Sequence, residues 1–240
     1  MKRIVIVGAS SGIGREVARQ FIAAGWTVGI ASRRTEPLDE LKALAPERVH
    51  TSQIDVQAED APQKLLLLIG AMGGMDTYLH SSGIGKQNKE LTPDIEIETL
   101  RTNGEGFVRM ITSAFNYFRG QGQGGHIAAI TSVAGTRGGG NAPAYSAVKA
   151  FQSRYLDGLA QLSGGEKLGI KITDIRPGFV ATPLIGDCPY PMVMSAEYAA
   201  RKITKVVTSQ RRSVVVDWRY SLLVFVWRLI PRFVWERMSL

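Results

Sequence analysis

Seven short apolar runs recur along the 240-residue chain, at 4–7, 27–31, 49–54, 75–79, 126–131, 170–175 and 213–216. They are continuous rather than alternating, which predicts strands covered on both faces. Longer segments with helical spacing lie between them, near 12–24, 36–45, 58–70, 94–118, 143–163 and 195–208. Strand–helix alternation of this kind predicts an α/β fold. The expected architecture is a doubly wound, mostly parallel sheet with right-handed crossovers and helices on both faces. No Pro/Ser-rich linker interrupts the pattern, so one domain is expected over 1–217. Residues 218–240 form an appendage of different character, read as an amphipathic helical tail that Pro231 breaks or bends.

Composition adds exclusions. With 45% hydrophobic and 21% charged residues, the chain has the makeup of a globular protein rather than a disordered one. The single Cys188 allows no internal disulfide. His50, His80 and His126 are too scattered to suggest a metal site, and none is expected. Lys2 and Arg3 precede only four apolar residues before Gly8, too few for a secretory signal, so a cytoplasmic location is expected.

The net charge of +8 is local. Residues 1–200 hold 20 Lys/Arg against 19 Asp/Glu, whereas 201–240 hold nine against two. A nucleic-acid protein would spread its cations over a binding face with matching motifs; none is present, and no nucleic-acid partner is expected.

The first run leads into Gly8-Ala9-Ser10-Ser11-Gly12-Ile13-Gly14, directly before a helical segment. Glycines at this point let the backbone turn sharply and approach a pyrophosphate, whose charge the helix N-terminus stabilises. The second run ends in Ser32-Arg33-Arg34, where NAD-binding units usually carry an acid for the ribose hydroxyl. Guanidinium groups suit a 2′-phosphate instead, which favours NADP(H) as the cofactor. The plainer alternative is a solvated loop with two arginines.

Further along, Ser132 ends the fifth run, Tyr145 follows, and Lys149 comes four residues later. Tyr and Lys at that spacing share one helix face. The ammonium could then lower a phenol pKa that is ~10 when unperturbed, letting Tyr145 exchange a proton with an alcohol or ketone. Ser132 would bond the same substrate oxygen.

With these residues in place, the chain resembles the short-chain dehydrogenase/reductase family over roughly 3–216. Gly8, Gly12 and Gly14 match its cofactor glycines, and Asp55-Val56 its adenine-contacting pair. Asn103 matches the helix asparagine that supports a relay water. Ser132, Tyr145 and Lys149 match the catalytic serine, tyrosine and lysine, and Pro177-Gly178 with Thr182 the segment beside the nicotinamide. The resemblance implies a seven-stranded sheet and a cofactor site along Gly8, Ser10, Ser11, Gly12, Ile13, Gly14, Ser32, Arg33, Arg34, Asp55, Val56, Ser82, Gly83, Asn103, Tyr145, Lys149, Pro177, Gly178, Val180 and Thr182. It also implies a carbonyl or secondary-alcohol substrate and a homodimer or homotetramer. Two positions depart from the family pattern. Val7 replaces a Thr, and His80-Ser81-Ser82-Gly83 replaces Asn-Asn-Ala-Gly. His80 is read as structural or cofactor-lining rather than catalytic.

Residues 183–195 read as a lid, and its apolar members fit either a hydrophobic substrate or simple closure over the cofactor. The tail mixes three Trp and four Arg with aliphatic residues, and its longest uncharged run, 220–227, is too short to span a bilayer. Peripheral membrane contact at the inner surface, packing on the domain and an oligomer contact all stay open. Two rival functions follow: a reductase of lipid-like ketones at a membrane, and a catalytically silent nucleotide-binding sensor or scaffold.

Overall fold

Residues 2–186 and 190–238 are described by a computed structural model. Cys188 therefore lies outside the described residues, as does part of the expected lid. The strands are β1 (Arg3–Val7), β2 (Thr27–Ser32), β3 (Val49–Gln53), β4 (Thr77–His80), β5 (Gly125–Ile130), β6 (Ile170–Arg176) and β7 (Ser213–Val215). All pair in parallel in the order β3-β2-β1-β4-β5-β6-β7.

The continuous apolar runs have a simple cause. Within β1, Ile4 and Ile6 point into one core while Val5 and Val7 point into the other. The first core is closed by α1 (Gly12–Ala23), α2 (Glu36–Lys42), α7 (Ala196–Ser209) and α8 (Trp218–Leu229). The second is closed by α3 (Ala61–Ala71), α5 (Gly106–Gln121) and α6 (Pro143–Gly165). A strand with helices on both sides needs hydrophobic residues at every position rather than at alternate ones. The edge strands β3 and β7 relax this rule along their length, and β6, next to β7, relaxes it at Lys171.

Two elements differ from the periodicity. Strand β4 starts two residues later than the apolar run at 75–79, because Asp76 is spent bridging Arg3 at 2.7 Å and accepting its backbone N–H at 2.8 Å. The single helix expected over 94–118 is split into α4 (Pro93–Leu100), a π-helical turn at Arg101–Glu105, and α5. The wider turn carries Asn103, which is fully buried and bonded outside its own helix. Insertions of this type often mark functional sites. After Pro231 the tail resumes as the short α9 (Arg232–Trp235). The break at Pro231 follows from its missing N–H.

Strand order reverses between β1 and β4. In open parallel sheets the crevice outside the carboxyl ends of the strands at such a switch point is where ligands bind. The segments after β1, β4, β5 and β6 all emerge at that end, and they carry most of the candidate residues.

Candidate active site

The turn after β1 is held by two backbone bonds, Gly8 N–H and Ala9 N–H to the Ala31 carbonyl at 2.8 and 3.2 Å. Gly8 has φ +94° and Gly12 φ +55°, conformations that L side chains rarely adopt. A Cβ on Gly8 would run into the backbone of Ser82, and one on Gly14 into the Gly8 carbonyl. A Cβ on Gly12 would come within 2.9 Å of the Thr182 methyl. The glycines therefore let three loops close on one another. Helix α1 begins behind them with no side-chain cap at Ser11 and no acid in its first turn. Its leading amides are left for an anionic ligand, and Ser10, Ser11 and Ile13 lie at that end.

At the end of β2, Ser32 is buried while Arg33 and Arg34 are exposed. Neither arginine has an acidic partner among the described residues. Arg34 reaches toward the glycine turn, Nη2 to Ser10 Oγ at 3.4 Å, and Gln53 Nε2 holds the Arg33 carbonyl at 3.0 Å. The residues after β3 are tied to α5: Arg109 donates to the Val56 carbonyl at 3.1 Å, and Asp55 accepts from Gln57 N–H at 3.0 Å.

The chemical centre lies over the ends of β4 and β5. Ser132 Oγ accepts the Ala134 N–H at 3.0 Å, and Ser132 lies near enough to Tyr145 to favour its ionised phenol. Lys149 Nζ stands 5.6 Å from the Tyr145 ring centroid and donates to the Ile130 carbonyl at 3.2 Å. Burial pushes the Lys149 pKa down to about 8, against an opposing pull from Asp174. Burial also raises the Tyr145 phenol. The Ser132 hydrogen bond lowers it and the nearby Tyr190 raises it further, so the net direction is upward. Desolvation, rather than the lysine charge, sets the balance for this phenol.

Asn103 acts on the loop after β4. Its Oδ1 accepts Ile84 N–H at 2.8 Å and its Nδ2 donates to the Ile84 carbonyl at 2.7 Å, a two-point clamp. Its own carbonyl accepts Gln152 Nε2 at 2.7 Å. Gly83 lies against both partners: a Cβ there would sit 3.1 Å from Asn103 Oδ1 and 3.8 Å from Lys149 Nζ. His80 is buried behind them with Nδ1 3.0 Å from the Tyr78 hydroxyl and Nε2 unpartnered. Its pKa falls to about 3, chiefly through burial and secondarily through Lys149, so it is a neutral imidazole.

The segment after β6 completes the site. Pro177 accepts the Val133 N–H at 3.0 Å, linking it to the Ser132 loop. Val180 is buried and bridges Met194, with Ala181 N–H on the Met194 carbonyl at 2.8 Å. Tyr190 stacks on Phe179 at 4.0 Å and accepts Gln87 Nε2 at 2.6 Å.

Four contributors were not singled out from sequence. Gly85 is needed because a Cβ would come within 3.0 Å of the Tyr145 ring, and the spacing Gly83-Ile84-Gly85 was a usable signal. Gln87, Gln152 and Tyr220 carry no local signal. Tyr220, on α8, lies over Gly178 so closely that a Cβ there would strike its ring. Its hydroxyl accepts Phe179 N–H at 3.0 Å and lies 3.1 Å from the Met192 carbonyl.

The family model described as short chain dehydrogenase matches residues 2–189. The chain belongs to the short-chain dehydrogenase family. It is 30% identical to an uncharacterized oxidoreductase of Mycobacterium tuberculosis, over 96% of this chain and 95% of that one. Among solved structures, ElxO with NADP bound superposes with a TM-score of 0.80 at 21% identity, covering 92% of this chain and 99% of that one. The 3-ketoacyl-(acyl-carrier-protein) reductase of Brucella melitensis complexed with NADH gives 0.81 at 21%, covering 90% and 96%. This short-chain dehydrogenase is thus an oxidoreductase of a family that binds NAD(P), with the seven-stranded doubly wound sheet expected from its sequence.

Proposed function

We propose that this short-chain dehydrogenase reduces a carbonyl to a secondary alcohol with NADPH, Tyr145 serving as the proton donor. The observation that carries the reading is a buried Tyr145 phenol with Ser132 beside it and Lys149 Nζ 5.6 Å from its ring. Ser132 Oγ accepts the Ala134 N–H at 3.0 Å, and Ser132 pulls the Tyr145 phenol pKa down while burial, the larger effect, holds the phenol protonated. A phenol held protonated by burial is the acid that carbonyl reduction needs. Lys149, with an amine brought down to about 8, can return a proton to the phenolate from Nζ once the product alcohol forms. Asn103 holds the loop carrying Gly83 and Gly85, and so fixes the floor against which Tyr145 packs.

The uncapped start of α1, the glycine turn and the two unpaired arginines fit a phosphorylated dinucleotide. ElxO is described with NADP and the Brucella reductase with NADH, so family membership alone does not choose between the cofactors. Arg33 and Arg34 tip the choice, because forked guanidinium groups favour a phosphate over a hydroxyl. When bound, the nicotinamide supplies the hydride to the carbonyl carbon.

A hydrophobic carbonyl compound is the favoured substrate class, since Tyr190, close enough to act on the Tyr145 phenol, is stacked on Phe179 at 4.0 Å. A homo-oligomer is favoured by an apolar groove of about 1180 Å³ on the far side of the sheet. Leu66, Leu100, Val108, Tyr117 and Phe151 line it, and its one charged pair, Glu105 with Arg109, is internally neutralised at 2.6 Å.

Fluorescence titration with NADPH and NADH, followed by NADPH oxidation against carbonyls graded by chain length, tests the proposal. Preference for NADPH with turnover rising along the series is expected. Tight binding with no turnover would favour the nucleotide-binding scaffold, and failure to bind either cofactor would refute the reading outright.

A further inference from the structure

Helix α8 is apolar on two opposite sides. Tyr220 and Val224 are buried against the domain, whereas Trp218, Leu222, Phe225 and Leu229 are 73%, 56%, 61% and 66% exposed. Those four recur at spacings of four, three and four, which places them on one stripe pointing away from the protein. With a large apolar side chain presenting roughly 150–250 Å², the stripe exposes on the order of 500 Å². That lies in the upper part of the range for the largest patch on an ordinary monomer, which is often functional. Phe233 and Val234 on α9 are also exposed.

The rim of this stripe is cationic. At 100° per residue, Arg219 and Arg228 fall on its two flanks. Arg219 is neutralised by Asp217 at 3.0 Å, and Arg232 meets Glu236 at 2.8 Å. Arg137, Arg228 and Arg237 have no acidic partner among the described residues, and Arg137 is stacked on Trp235. The acids nearby, Asp217 and Glu236, are already taken by Arg219 and Arg232, so Arg228 and Arg237 leave the rim with a net positive charge. An anionic lipid surface supplies the balancing charge together with an apolar layer for the stripe.

We propose that α8 and α9 form an interfacial docking face for an anionic bilayer, with the Trp218–Leu222–Phe225–Leu229 stripe entering the headgroup layer. The face is tied to the substrate side of the site. Tyr220, on the inner side of the same helix, bonds Phe179 N–H, and the adjoining segment exposes Leu184 and Val193. The docking face stands independently of the reductase reading.

The test is co-sedimentation of the full chain with vesicles of phosphatidylcholine containing phosphatidylglycerol, and with phosphatidylcholine alone, at low and high salt. Binding to the anionic vesicles that salt weakens is expected. The triple variant Phe225→Ser/Leu229→Ser/Phe233→Ser should lose roughly tenfold or more of it. Arg237→Glu should lose about fivefold or more, and both variants should keep the NADPH oxidation rate measured without lipid. No binding of the unmodified chain at low salt would overturn the proposal. So would equal binding to both vesicle types, or a stable dimer that the triple variant dissociates while vesicle binding stays absent. Loss of turnover in every variant and in the unmodified chain would instead fall on the reductase reading.

Discussion

Two histidines buried as neutral imidazoles should make this protein sensitive to acid, by an amount the structure sets. His80 and His126 are each 1% exposed. Burial takes their pKa values down from 6.5 to about 3 and about 4. Below 6.5 the unfolded chain binds a proton at each site that the folded chain refuses. Stability is therefore full above pH 6.5 and falls as the pH drops toward the folded values. One pKa unit corresponds to about 1.36 kcal/mol, so each histidine costs about 2 kcal/mol by about pH 5 and the pair roughly 4 kcal/mol. That is a large share of the ~5–15 kcal/mol that holds a typical domain together. Urea denaturation of the unmodified protein, His80→Gln, His126→Gln and the double variant at pH 7 and about pH 5 measures it. Each single change should shrink the difference between the two pH values by about 2 kcal/mol, whatever it does to stability at pH 7. If the double variant loses as much stability on acidification as the unmodified protein, the reasoning is refuted. Asp76 and Asp217, whose pKa values lie below the ordinary 3.8, stay ionised at pH 5 and would add their own loss only at lower pH.

Three further outcomes are expected. Tyr145→Phe should lower kcat by about 10²–10⁴-fold while leaving NADPH titration nearly unchanged; near-normal turnover would remove Tyr145 as proton donor. Arg33→Ala should weaken NADPH far more than NADH in the same titration, and equal losses would count against a 2′-phosphate contact. Tyr220→Phe should cost about 1 kcal/mol in thermal or urea unfolding, because it removes the partner of the part-buried Phe179 N–H. It should also raise KM for the carbonyl more than for NADPH, and an unchanged KM would separate the strut from the substrate side.

Legibility followed the range of the interactions. The sheet was readable because strands such as β1 and β5 are apolar at consecutive positions, and the glycine turn because sterics there admit no Cβ at Gly8 or Gly14. Tyr145 and Lys149 were readable as a pair because their spacing is local to one helix. The π turn at Arg101–Glu105 was not readable, since its cause is Asn103 reaching Ile84 across the fold. Nor was the shift of β4, which depends on Asp76 meeting Arg3 from 73 residues away. The phenol of Tyr145 shows the same limit: the helix spacing suggested a lowering by Lys149, whereas the surrounding burial sets the direction.

The position of α8 also constrains the order of assembly. It follows in the chain every segment it braces: the Gly178 backbone, the Phe179 amide and the stretch ending at Met192. Domains emerging from a ribosome begin to fold from the N-terminal side. The strands and the Ser132, Tyr145 and Lys149 groups can therefore be in place while the surface over Gly178 is still bare. During that interval the nascent chain has its candidate groups but not the finished surface around them, and Tyr220 is the late piece that covers Gly178. Nonsense variants that stop before Trp218 should accordingly be targets for chaperones and proteases rather than slow enzymes.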